Sequence, residues 1–269
     1  MQTFQRAVLL IPMVAWLAAA CDRANTPSDA LTGARPTALA RSGSYDEPGG
    51  KDDNGTLRAV PFVFVGGAGD CGPVAGSRIV TAAWLGGMGL PDNGGTNVGD
   101  NQSDPHFGLL LSKNGLTADC SSSGARIEGV RGMTLDATSE LGFDYRNGGH
   151  CGAGAPRMNV VVRTSVTNTE TFHFVGGCSN DHTPTPAPQD PVEWTRVRFG
   201  TSDPTETFPV IPPGSTVVSI SILYDEGTDV PTIQDPNGVG LAVIDNIFIK
   251  GRTISSGKAI SDGHNGGDE

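Results

Sequence analysis

Leu141-Gly-Phe-Asp-Tyr-Arg146 sets Leu141, Phe143 and Tyr145 on one face and Gly142, Asp144 and Arg146 on the other. That period of two belongs to a strand with one buried face. Next comes Asn147-Gly-Gly-His-Cys-Gly-Ala-Gly-Ala-Pro156, whose glycines and closing proline no helix or strand interior tolerates. The chain resumes extended over Arg157–Ser165, with Met158, Val160 and Val162 on one face. It turns at Val166-Thr-Asn-Thr169 and returns through Thr171–Val175 to Gly176-Gly-Cys178. A hairpin with a cysteine at each outer end therefore sets an all-β reading for the rest of the chain.

Working outward, short extended runs recur between turns: Pro61–Val65, Arg78–Leu85, Phe107–Ser112, Ala125–Val130, Glu193–Phe199, Thr216–Tyr224 and Gly240–Lys250. No helical period interrupts them, and no repeat of fixed length appears. The expected fold is all-β, a two-sheet antiparallel β-sandwich spanning residues 57–252. In the last run, Leu241, Val243, Ile247 and Ile249 fall on one face and Ile244 and Phe248 on the other. Both faces are thus apolar, which predicts a central or covered strand. Two long connections, Gly86–His106 and Ser179–Pro191, are the places where such a scaffold builds binding surfaces.

The chain of 269 residues carries a formal charge of −11 and a pI near 4.8, which disfavours nucleic acid and anionic lipid as electrostatic partners. At the start, Arg6, the apolar stretch Ala7–Leu17 and Ala18-Ala-Ala-Cys21 follow the order of an export signal. They resemble the bacterial lipoprotein signal, which implies removal of residues 1–20, lipidation of Cys21 and attachment to a membrane through that lipid alone. An ordinary secretory signal is the alternative, so the protein is expected at the cell envelope, lipid-anchored, or outside the cell. Residues 21–56 are rich in small and polar residues and read as a disordered tether, and residues 253–269 as a disordered tail.

With Cys21 assigned to lipid, Cys71, Cys120, Cys151 and Cys178 remain. In an oxidising compartment four cysteines read as two disulfides, with three connectivities open. The hairpin favours Cys151–Cys178, which leaves Cys71–Cys120. No Cys-x-x-Cys pair supports zinc.

Asp225, Glu226 and Asp229 place three carboxylates around Gly227 just after a strand, a set able to hold structural Ca2+, with Asp245 as a further oxygen donor. A solvated acidic turn is the plainer alternative. His150 and His173 would be brought near each other by a Cys151–Cys178 bridge, yet two histidines make no local chelate. His106 and His182, beside and within the long connections, are candidate ligand contacts. Asp144, Arg146 and Arg157 suggest an ion-pair network around the glycine turn. Trp84 and Trp194 fall on strands, where core packing is the commoner role of tryptophan; Trp194 also shares its face with Arg196 and Arg198, which makes an exposed ring able to stack on a pyranose, with Arg196 beside it, the alternative. No catalytic signature is present; Glu128, Glu140 and Glu193 are the carboxylates that glycoside hydrolysis would draw on.

The run Val243-Ile-Asp-Asn-Ile-Phe-Ile249 after the acidic turn resembles the closing hairpin of galactose-binding-like and carbohydrate-binding modules. With Phe107-Gly-Leu-Leu-Leu111, Gly142-Phe-Asp-Tyr145 and His150–Arg157, it is similar to a family of uncharacterised secreted bacterial proteins over about residues 60–252. The resemblance implies a jelly-roll type of sandwich, a carbohydrate ligand and a calcium ion near the terminal strand. The expected function is ligand binding or surface interaction at the envelope. A polysaccharide-active hydrolase or lyase and a structural or adhesive protein are the alternatives.

Overall fold

The computed structural model describes residues 57–66, 80–91, 106–255 and 258–259. The expected export signal, Cys21, the whole of the expected tether, Cys71 and the last ten residues lie outside them. In chain order the strands are β1 (Arg58–Phe64), β2 (Val80–Leu85), β3 (Gly108–Lys113), β4 (Ser122–Glu128) and β5 (Thr134–Leu135). Then come β6 (Glu140–Arg146), β7 (Arg157–Arg163), β8 (Glu170–Gly176), β9 (Thr185–Pro186) and β10 (Trp194–Gly200). The last five are β11 (Thr207–Phe208), β12 (Ser215–Tyr224), β13 (Leu241–Ile249), β14 (Arg252–Ser255) and β15 (Lys258–Ala259).

They form two antiparallel sheets of seven strands each, a two-sheet β-sandwich. The first runs β11-β8-β7-β12-β4-β1, with β5 on β12; the second runs β14-β13-β6-β10-β9, with β3 and β2 beside β13. Short β15 pairs with both β1 and β14 and so joins the sheets along one side. Successive strands cross repeatedly between the sheets, in keeping with the jelly-roll expectation.

Alternation decides what lies between the sheets. Leu141, Phe143 and Tyr145 of β6 meet Met158, Val160 and Val162 of β7, and Val197 and Phe199 of β10 complete the layer, all buried. Each large apolar side chain removed from water contributes about 1.5–3 kcal/mol before conformational entropy is subtracted. β13 is central, as its two apolar faces predicted, since it pairs with β6 on one edge and with β3 and β14 on the other. Its faces are divided differently from the simple alternation. Asn246 sits at φ 45°, the register against β6 slips between Asp245 and Phe248, and the inward set becomes Ala242, Ile244, Ile247 and Ile249. A bulge adds one residue and shifts every later side chain by one face, which places Val243, Asp245 and Phe248 outside.

The expected tail from residue 253 begins as structure instead: β14 doubles back onto β13, and Ile254 and Ser255 are buried. The positive-φ pair Lys250 and Gly251 makes the tight turn that returns the chain.

Candidate functional site

One end of the sandwich gathers the loops that carry most of the chemistry. Cys151 and Cys178 form the expected disulfide. Cys120 is also disulfide-bonded, and Cys71, the partner expected for it, lies outside the described residues. Arg157 forks onto Asp225 with two bonds of 2.7 Å, donates to the Gly154 carbonyl, and places Nε 3.2 Å from Asn159 Oδ1. Its guanidinium is committed within the protein. His150, fully buried, donates Nε2–H to Glu226 Oε2 at 2.7 Å and packs edge-on against Tyr224, whose hydroxyl burial pushes above its ordinary value. Gly152 and Gly154 are required there, because a Cβ on either would come within 2.4 Å of the Glu226 carboxylate. Lys113, buried at 0% exposure, donates to the carbonyls of Thr117, Asp119 and Asp225. Burial lowers its pKa from the ordinary 10.5, opposed by the charges of Asp119, Asp225 and Asp229.

These contacts disperse the carboxylates proposed for calcium. Asp225 holds Arg157, Glu226 holds His150, and Asp229 accepts from the Thr117 backbone N–H and hydroxyl at 2.7 and 2.8 Å. Asp245 lies on the outside of β13, buried, accepting from the backbone N–H groups of Leu90 and Asn246. Among the described residues no three carboxylate, histidine or cysteine groups converge as a metal site. His173 is likewise structural, donating Nδ1–H to the Pro209 carbonyl and accepting from the Thr171 hydroxyl, each at 2.7 Å.

The predicted network of Asp144, Arg146 and Arg157 divides into three. Arg157 takes Asp225, Arg146 makes an exposed pair with Glu193 at 3.0 Å, and Asp144 takes Arg196 and Arg198 at 3.1 and 3.3 Å. Asn246 also donates to Asp144, at 2.9 Å, from the bulge. Trp194 is not an exposed platform. At 3% exposure it packs with Leu90, Ala187 and Val243, and its ring is unavailable for stacking on a sugar. Leu90 and Ala187, from segments outside β10, pack over Trp194 on the outer face of the second sheet, a cover that alternation within β10 cannot reveal. Arg196 is spent on Asp144. His106 accepts from Gly89 N–H through its own carbonyl, and the exposed His182 approaches Glu206 through its backbone N–H; both contacts are made by the main chain, and the two histidines lie apart from Trp194 and Arg196 in the sequence.

The outer face of the first sheet is built differently. Register aligns one row, Phe208, Phe174, Asn159, Ser221, Arg126 and Val60, across six strands. At about 4.8 Å per strand the row is roughly 24 Å long. A second row holds Arg157, Leu223, Gly124 and Phe62, with the Phe62 ring laid across Gly124 where a Cβ would approach within 2.8 Å. Phe62, Phe64, Phe172, Phe174 and Phe208, half of the ten phenylalanines in the chain, lie on this face and keep partial or full exposure. Phe174 and Phe208 are 38% and 43% exposed and border a groove of about 280 Å³ completed by Ala153, Gly154, Arg157 and Asn180. Sequence reading took tryptophan as the aromatic cue and passed over these phenylalanines; the alternation of Phe172 and Phe174 about buried His173 was the available signal.

No protein-family model matches this chain, and no curated protein matches it.

Proposed function

We propose that this chain is a lipid-anchored envelope protein whose sandwich binds carbohydrate on the outer face of the first sheet. The observation that carries the reading is a sheet face on which partly exposed phenylalanines, Phe174 and Phe208 on one side and Phe62 and Phe64 on the other, flank Asn159, Ser221 and Arg126. Apolar rings meet the C–H faces of sugars, and amide, hydroxyl and guanidinium groups meet their hydroxyls, so this mixture suits a polyhydroxylated chain. The signal ending at Cys21 and the polar tether after it would hold the domain clear of the membrane. Polysaccharide cleavage is a separate reading, and Glu128 is the one of its three candidate carboxylates that lies on this face.

The test is a thermal melt of the purified protein against a panel of soluble polysaccharides, followed by size analysis of the glycan. Binding raises the melting temperature by mass action, and Phe174→Ala should abolish the rise. Shortened glycan would establish the enzymatic reading in its place. No shift with any glycan would overturn the binding proposal.

A further inference from the structure

Cations in the described residues are mostly spent. Arg146, Arg157, Arg163, Arg196, Arg198, Lys113 and Lys250 each lie within 4 Å of a carboxylate. Arg126 is exposed, makes no hydrogen bond or ion pair among the described residues, and stands fifth of six along the row, one strand in from β1. Val60 and Ser221 flank it in register, and the strand places Gly124, under the Phe62 ring, two residues away on the same side. The exposed Arg58 lies nearby on β1, opposite Glu128. Counting Arg58, Arg126, Arg157 and Arg163 against Glu128, Glu170 and Asp225, this face is slightly positive on a chain of charge −11.

An unpaired guanidinium on a face that also carries aromatic rings is a fork for a planar anion. On a sugar polymer that anion is a carboxylate. Resting on the carbohydrate reading above, we propose that the ligand is a uronate polysaccharide, with Arg126 gripping a carboxylate, Phe62 contacting a ring beside it and Phe174, three strands and about 14 Å away, contacting a ring further along the chain. The negative charge of the whole chain does not forbid this, because a contact pair acts within a screening length of about 8 Å while distant carboxylates are damped.

The experiment compares retention of the full chain, as wild type, Arg126→Gln and Phe174→Ala, on polygalacturonate, on the same polymer fully methyl-esterified, and on a neutral glucan. Esterification removes the charge and keeps the rings. The expected result is wild-type preference for the free acid, loss of about tenfold or more of that affinity in Arg126→Gln, and a fall in retention on both polymers in Phe174→Ala. Added salt should weaken the free-acid interaction alone. Equal retention of acid and ester, or of the neutral glucan alone, with Arg126→Gln unchanged, would overturn the uronate inference and leave glycan binding standing. No retention on any of the three would overturn the uronate inference, and the absence of any shift in the wider glycan melts would remove the carbohydrate reading as well. Because Arg126 is exposed, its variant is expected to fold, and a matching melting temperature confirms that a loss is one of binding.

Discussion

The two outer faces of the sandwich arise from the same alternation and end in opposite states. On the second sheet the outward side chains at the centre are sealed: Asp144 is fully buried between Arg196 and Arg198, and Trp194 lies under Leu90 and Ala187. On the first sheet the outward phenylalanines remain partly in water, and Arg126 has no hydrogen-bond or ion-pair partner among the described residues. The difference lies in the connections. The chain around Leu90 reaches over the second sheet and donates its N–H to Asp245, so groups there had to satisfy one another. Polar groups that must be satisfied internally serve stability; groups left unsatisfied at a surface are available to a ligand.

The sharpest way to break this comparison is Asp144→Ala. It leaves two arginines and Asn246 without their shared acceptor, and we expect a loss of about 3–5 kcal/mol in urea denaturation. A loss below 1 kcal/mol would mean that the sealed face is not under the constraint described. Next in size, the double change Cys151→Ser with Cys178→Ser frees a link of 27 residues beside the open face and should cost about 2–4 kcal/mol under non-reducing conditions. A melting temperature equal to wild type would exclude that role for the bridge.

His173 and Phe174 sharpen the contrast within a single strand, because they are neighbours on β8 that face opposite ways. Burial holds the His173 pKa below its ordinary 6.5, only partly offset by its bond to Pro209. The unfolded chain therefore binds a proton that the folded one refuses, and stability falls as pH drops below about 6.5. Melts between pH 7.5 and 5 should show this slope, and His173→Gln should flatten it; an unchanged slope would assign it to other groups. Smallest of all, Phe174→Ala and Arg126→Gln should each alter stability by less than about 1 kcal/mol, since both side chains keep much of their exposure. A larger loss in either would show that the open face is itself part of the structural framework.

The ten longer strands were legible because each carries its own apolar period. The two-residue strands β5, β9, β11 and β15 carry none, and they exist only where a neighbour supplies hydrogen bonds. The Cys151–Cys178 bridge was legible from the hairpin that brings its ends together. Asp225, Glu226 and Asp229 were correctly singled out as an unusual cluster, but their partners Arg157, His150 and Thr117 come from distant stretches that no local pattern links to them. The choice between a packed and an exposed Trp194 was not legible for the same reason: alternation reports which face a residue occupies, not whether a separate segment covers that face. The bulge at Asn246 was hidden by an apolar run long enough to satisfy either register.

Asp225 joins more of the molecule than its place in a loop suggests. Its carbonyl holds Lys113, its carboxylate holds Arg157, its neighbour Glu226 holds His150, and the next residue after His150 is bridged to Cys178. Four loops are thereby tied through two adjacent residues. None can open far without releasing the others, so amide hydrogens across residues 114–120, 147–156, 177–180 and 225–229 should exchange with solvent as one group, at one free energy of opening.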